Sequence, residues 1–229
     1  GKIYEGTIKE KSSKEKSQSK STDEHSSPII TGTKVYVNLS SPEGAQAIAN
    51  RNVDGVGLLR AEFIAAQLGK HPKKAIEDGE GDDWSNKLAE NIQKVVEPFS
   101  PRPVVYRTLD FKTNEYKDLP GGENFEPNEN NPMLGYRGAF RNLADQEVFS
   151  LELQAIKKVR DAGLENLYVM IPFVRTLSEI KRISKILQEH GLKRSKNFQL
   201  WIMVEVPSTI FLIEKFLTHV DGISIGTND

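Results

Sequence analysis

Cysteine is absent from this chain of 229 residues. Disulfides, thiolate zinc sites and a cysteine nucleophile are therefore excluded within it, and the composition is compatible with a reducing compartment. Long apolar runs are also absent, since none approaches the roughly 18 residues of a membrane-spanning helix. The first ten residues lack the basic-then-apolar plan of a secretory signal. We therefore expect a cytoplasmic protein that makes no membrane contact.

An excess of charge of one sign is also lacking. The chain carries 31 lysines and arginines against 32 aspartates and glutamates. A balanced chain has no overall field that attracts nucleic acid or an acidic membrane surface, so we expect neither as a partner. Any anion that the protein binds must be held by a local cluster of cations.

The first thirty residues differ in composition from the rest. Residues 1–9 include a short strand-like run at residues 2–6. Residues 10–30 are rich in serine, lysine and glutamate, and up to Ser27 they contain no large apolar side chain. Such a segment cannot bury enough surface to offset the entropy lost on ordering, which predicts a flexible linker. We place the main domain at residues 31–229.

Beyond the linker, strand-like runs alternate with segments of helical periodicity, the pattern of repeated βα units around a parallel sheet. The strands are predicted at residues 34–39, 55–59, 104–107, 167–173, 199–205 and 222–225. The clearest helices are predicted at residues 147–161, 177–190 and 208–217. Six βα units fall short of the eight that close a barrel. The predicted fold is therefore an incomplete α/β barrel of the (β/α)8 TIM type.

Two arginines stand at predicted strand ends. Arg60 follows the second strand and Arg107 ends the third, and in a parallel barrel the C-terminal strand ends surround one site. The planar guanidinium grips phosphate or carboxylate through two charge-assisted hydrogen bonds. Arg60 and Arg107 are therefore candidate ligands of a small dianion. The alternative is that they form structural salt bridges with the neighbouring acids Glu62 and Asp110.

Two carboxylates occupy the corresponding positions on later strands. Glu205 ends the apolar fifth strand, where an isolated carboxylate needs a partner, and Asp229 follows the sixth, beside Asn228. Mg²⁺ is commonly bound by one or two carboxylates together with water and substrate oxygens. Glu205 and Asp229 are therefore candidate magnesium ligands. The alternatives are a protonated or arginine-paired Glu205, and an Asn228 that either donates to a substrate oxygen or fixes the turn.

A long stretch rich in glycine and proline, residues 118–132, comes after the third strand. A structureless loop of this length inside a compact barrel is usually functional. Arg137, which closely follows it, is a third candidate for the anion site, and a salt bridge to the acidic loop is the alternative. The four histidines show no ligand spacing, and we expect them to be solvated.

At these residues the chain resembles the phosphoenolpyruvate-utilising enzymes, a family of phosphoenolpyruvate synthases, pyruvate phosphate dikinases and the phosphotransferase-system enzyme I. The resemblance extends from about residue 34 to residue 229. Its most specific motifs are DGVGLLRAEF at residues 54–63, YRTLD at 106–110, NPMLGYR at 131–137, IMVEVP at 202–207 and SIGTND at 224–229. Within the family, the run from Gly121-Gly122 through Glu126-Pro127 is similar to the synthases, also called pyruvate, water dikinases.

Carried over residue by residue, the resemblance implies that Arg60 and Arg107 bind the transferring phosphoryl group. It implies that Glu205 and Asp229 bind Mg²⁺ and that Asn228 contacts the phosphate. The implied partners are pyruvate or phosphoenolpyruvate, a phosphohistidine domain of the same polypeptide, and a second copy of the chain through the barrel. Residues 1–9 are similar to the end of that phosphohistidine domain, and ATP would act only through a further domain.

The chain also departs from the family pattern. The phosphorylatable Thr-Ser-His motif and the ATP-binding domain are absent, and so are the proton-delivering cysteine and the arginine expected soon after the Asn-Asp pair. We therefore expect the chain by itself to be inactive as a dikinase. Two other interpretations remain open from the residues. One is a Mg²⁺-dependent aldolase or lyase acting on a pyruvate enolate, and the other is a non-catalytic oligomerisation module.

Overall fold

The computed structural model describes residues 31–226. The predictions for residues 1–9 and 10–30, and those for Asn228 and Asp229, lie outside this range. The described part forms one sheet of six parallel strands, in which each strand pairs with the next one along the chain. The strands are β1 Tyr36–Leu39, β2 Gly55–Arg60, β3 Val104–Arg107, β4 Leu167–Ile171, β5 Leu200–Val204 and β6 Gly222–Ile225.

Helices connect these strands in the alternating order that was predicted. Ten α-helices fall within residues 31–226: α1 Ala45–Ala49, α2 Ala61–Gln67, α3 Pro72–Glu77, α4 Gly81–Phe99, α5 Thr113–Lys117, α6 Gly138–Ala144, α7 Gln146–Asp161, α8 Leu177–Glu189, α9 Pro207–Phe211 and α10 Ile213–Leu217. Consecutive parallel pairing with helical crossovers is the (β/α)8 plan. The prediction of an incomplete α/β barrel is confirmed.

Local chemistry explains where α7 and α8 start and stop. The side chain of Thr176 accepts a hydrogen bond from the backbone N–H of Glu179, and the Glu179 carboxylate accepts one from the N–H of Thr176, a reciprocal capping box. Gly163 and Gly191 follow α7 and α8 with φ of 92° and 77°. This left-handed conformation ends a helix at little cost only when the residue has no side chain.

The helix predicted at residues 208–217 is wrong in one respect. It is two short helices, α9 and α10, separated by Leu212 with φ −110° and ψ 20°. Thr209 and Phe216 are buried, whereas Phe211 is 85% exposed. The apolar run in the sequence therefore does not all face the barrel wall.

The alternation of side chains along each strand creates two apolar layers. In β3, Val104 and Tyr106 point outward into the main core beneath the helices, whereas Val105 points inward. The inner layer is formed by Leu58, Val105, Met170 and Met203, contributed by β2 to β5. Because Arg107 has the same parity as Val105, it stands on the inner face at the end of its strand. Within residues 31–226, none of the helices combines the length and the apolar character needed to cross a membrane.

Candidate anion site at the carboxyl ends of the strands

The two strand-end arginines are neighbours in the sheet. Arg60 and Arg107 are directly paired in the parallel register of β2 and β3. Adjacent strands lie about 4.8 Å apart, so the two guanidinium groups leave the sheet side by side. Arg60 is exposed, and its guanidinium makes no hydrogen bond or ion pair with any residue in 31–226. The structure thus brings together the two residues predicted to bind a dianion.

Arg107 is held in place by acids on both sides. Its Nη2 donates to Oε1 of Glu62, in the first turn of α2, at 2.7 Å. Its Nη1 lies 3.7 Å from Oδ2 of Asp110 and 3.6 Å from the sulfur of Met203 on β5. The salt bridges that the sequence left as an alternative are therefore present for Arg107. They do not exclude a ligand, because the same guanidinium also lines an open cavity.

Arg137 joins the same network through Asp110. Its Nε and Nη2 donate to the two oxygens of Asp110, at 3.0 and 2.7 Å, in a bidentate pair. The guanidinium also stacks over the ring of Phe173 at 4.2 Å. Asp110, a carboxylate that pairs with Arg137, thus lies in the loop after β3 and not in the acidic loop at residues 118–132. Glu62, Arg107, Asp110 and Arg137 form an alternating chain of charges, which we call the charge chain.

The cavity beside the charge chain has a volume of about 400 Å³. The charged side chains that line it are Arg60, Glu62, Arg107, Asp110, Lys112, Glu115 and Arg137. Four of these are cationic and three are carboxylates. Since Glu62, Asp110 and Glu115 each pair with a cation, the net positive charge is left on Arg60. A cavity of this kind suits a small anion.

Burial changes the pKa values of two members of the charge chain, Glu62 and Arg107. Burial raises the pKa of the Glu62 carboxyl above its usual range and outweighs the opposing effect of Arg107. The second oxygen of Glu62, Oε2, is buried and has no hydrogen-bond partner among residues 31–226. Burial by itself lowers the pKa of Arg107, but the carboxylates of Glu62 and Asp110 reverse this, and the pKa of Arg107 is raised. Arg107 therefore stays charged under all ordinary conditions.

Glu205 lies directly beyond the end of β5 and is 7% exposed. Its Oε1 accepts a hydrogen bond from the backbone N–H of Phe173 at 2.6 Å. Gly226, beyond the end of β6, faces it: a Cβ on this glycine would lie 2.9 Å from Cβ and 3.2 Å from Oε2 of Glu205. A side chain at position 226 would therefore crowd the Glu205 carboxylate. Carboxylate oxygen is the donor that Mg²⁺ prefers, so the residue fits the predicted role.

The long loop at residues 118–132 is more ordered than its composition suggests. It contains a short 3₁₀ helix at Gly122–Asn124, and Glu126 is buried against Arg141 and His71. Because Nδ1 of His71 accepts from the N–H of Lys73, its Nε2 carries the proton and donates to Glu126 at 2.9 Å. The expectation that all histidines are solvated is wrong for His71, which is fully buried. Nothing in the local spacing signals this long-range contact.

Sequence reasoning also missed Glu152. This residue is 1% exposed and lies on α7. A signal was present, since position 152 falls within the apolar stripe that includes Val148, Ala155 and Val159, at helical spacing. A charged residue in such a stripe is either paired or neutral.

Comparison with known proteins bears on this site. The sequence profile described as "PEP-utilising enzyme, PEP-binding domain" matches residues 10–229. The chain belongs to this family. The resemblance stated from the five motifs is thereby confirmed.

Several curated members of the family are similar over most of the chain. A protein named phosphoenolpyruvate synthase from Aeropyrum pernix is 50% identical over 205 residues, which are 87% of this chain and 25% of that protein. A protein of the same name from Pyrococcus furiosus is 43% identical over 233 residues, covering all of this chain and 28% of that protein. A probable phosphoenolpyruvate synthase from Staphylothermus marinus is 50% identical over 204 residues, 87% of this chain and 24% of that protein. The chain thus spans about a quarter of the length of these relatives.

Proposed function

We propose that this chain is the part of a phosphoenolpyruvate synthase that binds phosphoenolpyruvate and pyruvate. The observation that carries the proposal is the pairing of Arg60 and Arg107 on adjacent strands at the wall of one cavity. The names of the family and of its similar members are consistent with this ligand.

The two arginines differ in how they would bind a phosphoryl group. Arg60 has no partner among residues 31–226 and can turn its guanidinium wholly to the ligand. Arg107 is fixed by Glu62 and Asp110 before a ligand arrives, so less entropy is lost when it binds. Each guanidinium can offer two parallel N–H donors to phosphoryl oxygens. Arg137, tied to Asp110 by two hydrogen bonds, supports this arrangement at the edge of the cavity.

A magnesium ion would be held by Glu205 together with Asp229. Glu205 supplies a buried carboxylate directly beyond the end of β5, and Asn228 would donate to a phosphoryl oxygen. When bound, Mg²⁺ supplies Lewis-acid stabilisation of negative charge on the carboxylate and keto oxygens of pyruvate.

In the complete protein, the proposed reaction converts ATP, pyruvate and water to AMP, phosphoenolpyruvate and phosphate. The phosphoryl group would arrive on a histidine of another domain. The N–P bond to that histidine breaks and a bond forms from phosphorus to the enolate oxygen of pyruvate. Arg60 and Arg107 neutralise the charge on the phosphoryl oxygens during the transfer, which is the main way in which proteins accelerate this chemistry.

Assembly into a homo-oligomer through the barrel is part of the proposal.

An aldolase or lyase acting on a pyruvate enolate is the competing proposal. Such an enzyme needs the metal and a carboxylate ligand for the substrate, but it has no phosphoryl group to hold. Two arginines in register on the inner side of β2 and β3 are more cationic groups than a monocarboxylate requires. The site therefore favours a ligand that carries both a phosphate and a carboxylate.

Calorimetric titration of the 229-residue chain tests the ligand. We expect phosphoenolpyruvate to bind in the presence of Mg²⁺ and to bind more tightly than pyruvate, because only phosphoenolpyruvate offers phosphoryl oxygens to Arg60 and Arg107. Equal affinity for the two ligands would contradict the phosphoryl role. It would favour the aldolase or lyase proposal instead.

A further inference from the structure

A buried carboxyl group that forms no ion pair within residues 31–226 contacts the end of β3 and the loop that follows it. Glu152 on α7 is 1% exposed, and its Oε1 accepts two hydrogen bonds. One comes from the hydroxyl of Tyr106 at 2.9 Å, and the other from the backbone N–H of Leu109 at 2.8 Å. Within residues 31–226 it forms no ion pair with lysine, arginine or histidine. The other buried carboxylates nearby, Glu62 and Asp110, are both paired with arginines.

The two donors of Glu152 lie on either side of Arg107 in the chain. Tyr106 precedes Arg107 on β3, and Leu109 belongs to the turn that follows it. Because side chains alternate along a strand, Tyr106 points outward to the helices while Arg107 points inward. From the inner side, Oε1 of Glu62 accepts from both Arg107 and the N–H of Asp110, at 2.7 and 3.0 Å. The turn after β3 is therefore fixed from opposite sides by two carboxyl groups.

We propose that Glu152 is a positioning residue for the anion cavity, because its two hydrogen bonds fix the loop that carries Arg107 and Asp110. It has no contact with the ligand. Its effect passes through the backbone of residues 106–110, whose conformation decides where the guanidinium of Arg107 and the carboxylate of Asp110 point. The inference deepens the proposed function and rests on it for the anion.

The surroundings of Glu152 favour the neutral form of its carboxyl group, so we expect the hydrogen bonds from Tyr106 and Leu109 to be made to a neutral acid. Burial is the largest influence, and it raises the pKa of Glu152 to about 8, although the hydrogen bonds from Leu109 and Tyr106 oppose the rise. The carboxylate of Glu62 on α2 raises it further. Burial raises the pKa of Tyr106 and of Tyr116 on α5, and Glu152 raises both further. The cation beside Tyr116 is Arg141, which forms its ion pair with Glu126.

Two variants separate positioning from simple core packing. Glu152→Gln keeps the shape and the acceptor oxygen and is neutral at every pH, so it mimics the proposed form. Glu152→Ala removes the acceptor for both Tyr106 and Leu109. Glu147→Ala, at an exposed position on the same helix, is the control for a general effect on α7.

The first measurement follows the thermal midpoint of the wild-type chain and Glu152→Gln from pH 5 to pH 9. An acid whose folded pKa is raised contributes stability that is fully present below its unfolded pKa and is lost as pH rises to the folded pKa. Here the window runs from the ordinary value of 4.5 to about 8. We expect the thermal midpoint of the wild type to fall relative to that of Glu152→Gln across this window. Above the window, the difference between the two midpoints should stay constant. A difference that does not change with pH would overturn the neutral-acid role, whether or not the chain binds an anion.

The second measurement is the affinity for phosphoenolpyruvate with Mg²⁺ at pH 7. We expect Glu152→Ala to weaken binding roughly 10-fold, the effect of about one lost hydrogen bond. Glu152→Gln should restore the affinity, and Glu147→Ala should bind like the wild type. Wild-type affinity in Glu152→Ala would overturn the positioning role while leaving the proposed function intact. A wild-type chain that binds no phosphoenolpyruvate would overturn both the proposed function and the positioning role, and the pH series would still decide whether Glu152 is neutral.

Discussion

Changing Arg60 or Arg107 to glutamine should have similar effects on anion affinity but different effects on stability. Both line the same cavity, so both substitutions remove a charged donor from the proposed phosphoryl site. Only Arg107 also neutralises buried carboxylates, through Nη2 to Glu62 at 2.7 Å and Nη1 to Asp110 at 3.7 Å. We therefore expect a similar loss of anion affinity in the two variants and a very different loss of stability.

The magnitudes follow from the contacts. A hydrogen bond to a charged group contributes about 1.5 to 3 kcal/mol, so each variant should bind phosphoenolpyruvate on the order of 10- to 100-fold more weakly. Removing one partner of a buried ion pair costs about 3 kcal/mol or more. The low end applies to Arg107→Gln, because 13% of the Arg107 side chain and 10% of the Glu62 side chain remain exposed. That loss corresponds to a thermal midpoint lower by roughly 6 to 12 °C, at about 2 to 4 °C per kcal/mol for a chain of this size. Arg60→Gln should stay within about 0.5 kcal/mol of the wild type.

Calorimetric titration and thermal unfolding on the same samples provide the assay. Arg60→Lys and Arg107→Lys serve as matched controls, because they keep the positive charge but lose the bidentate hydrogen bonding of the guanidinium. The reasoning is refuted if Arg60→Gln unfolds as early as Arg107→Gln, or if either glutamine variant binds phosphoenolpyruvate as tightly as the wild type.

Three further predictions address the backbone, the metal and the reaction. Gly138 follows Arg137 with φ 56°, and a Cβ there would lie 2.5 Å from Cβ of Phe173 and 2.6 Å from the backbone oxygen of Pro172, so Gly138→Ala should cost about 1 to 3 kcal/mol of unfolding free energy. Gly32→Ala, which would meet nothing within 4 Å, is the control, and equal midpoints would contradict the steric argument. Glu205→Gln keeps the acceptor for the N–H of Phe173 but loses its charge, so we expect Mg²⁺ no longer to strengthen phosphoenolpyruvate binding; an unchanged dependence on Mg²⁺ in titrations would place the metal elsewhere. The purified chain should release no AMP from ATP and pyruvate, and AMP detected by chromatography would show that the chain itself holds the missing catalytic groups.

The strands were predictable because parallel strands buried on both faces form continuous apolar runs. Their bounds came within two residues of those observed, and the two-residue differences were at the start of β1 and at the end of β4, which ends at Ile171 before Pro172. Proline has no N–H to donate to the ladder, so the strand cannot continue through it. The break at Leu212 was not predictable, since the run from residue 208 to 217 is apolar on both sides of it.

The site was predictable as far as strand order determines it. Arg60 and Arg107 end consecutive strands, and the parallel register makes them neighbours. The pairing of Arg137 with Asp110 was not predictable, because the acidic loop is closer in sequence and only the folded chain brings Asp110, 27 residues away, into contact. The metal and phosphoryl roles of Glu205, Asn228 and Asp229 stay predictions.

The crystal structure of the chain with phosphoenolpyruvate and Mg²⁺ would test the central claim most directly. The account predicts that the phosphate lies in the cavity of about 400 Å³, with oxygens within hydrogen-bonding distance of the guanidinium groups of both Arg60 and Arg107, and that the metal lies against the carboxylate of Glu205. Phosphoenolpyruvate bound elsewhere, with Arg60 and Arg107 facing solvent, would contradict it.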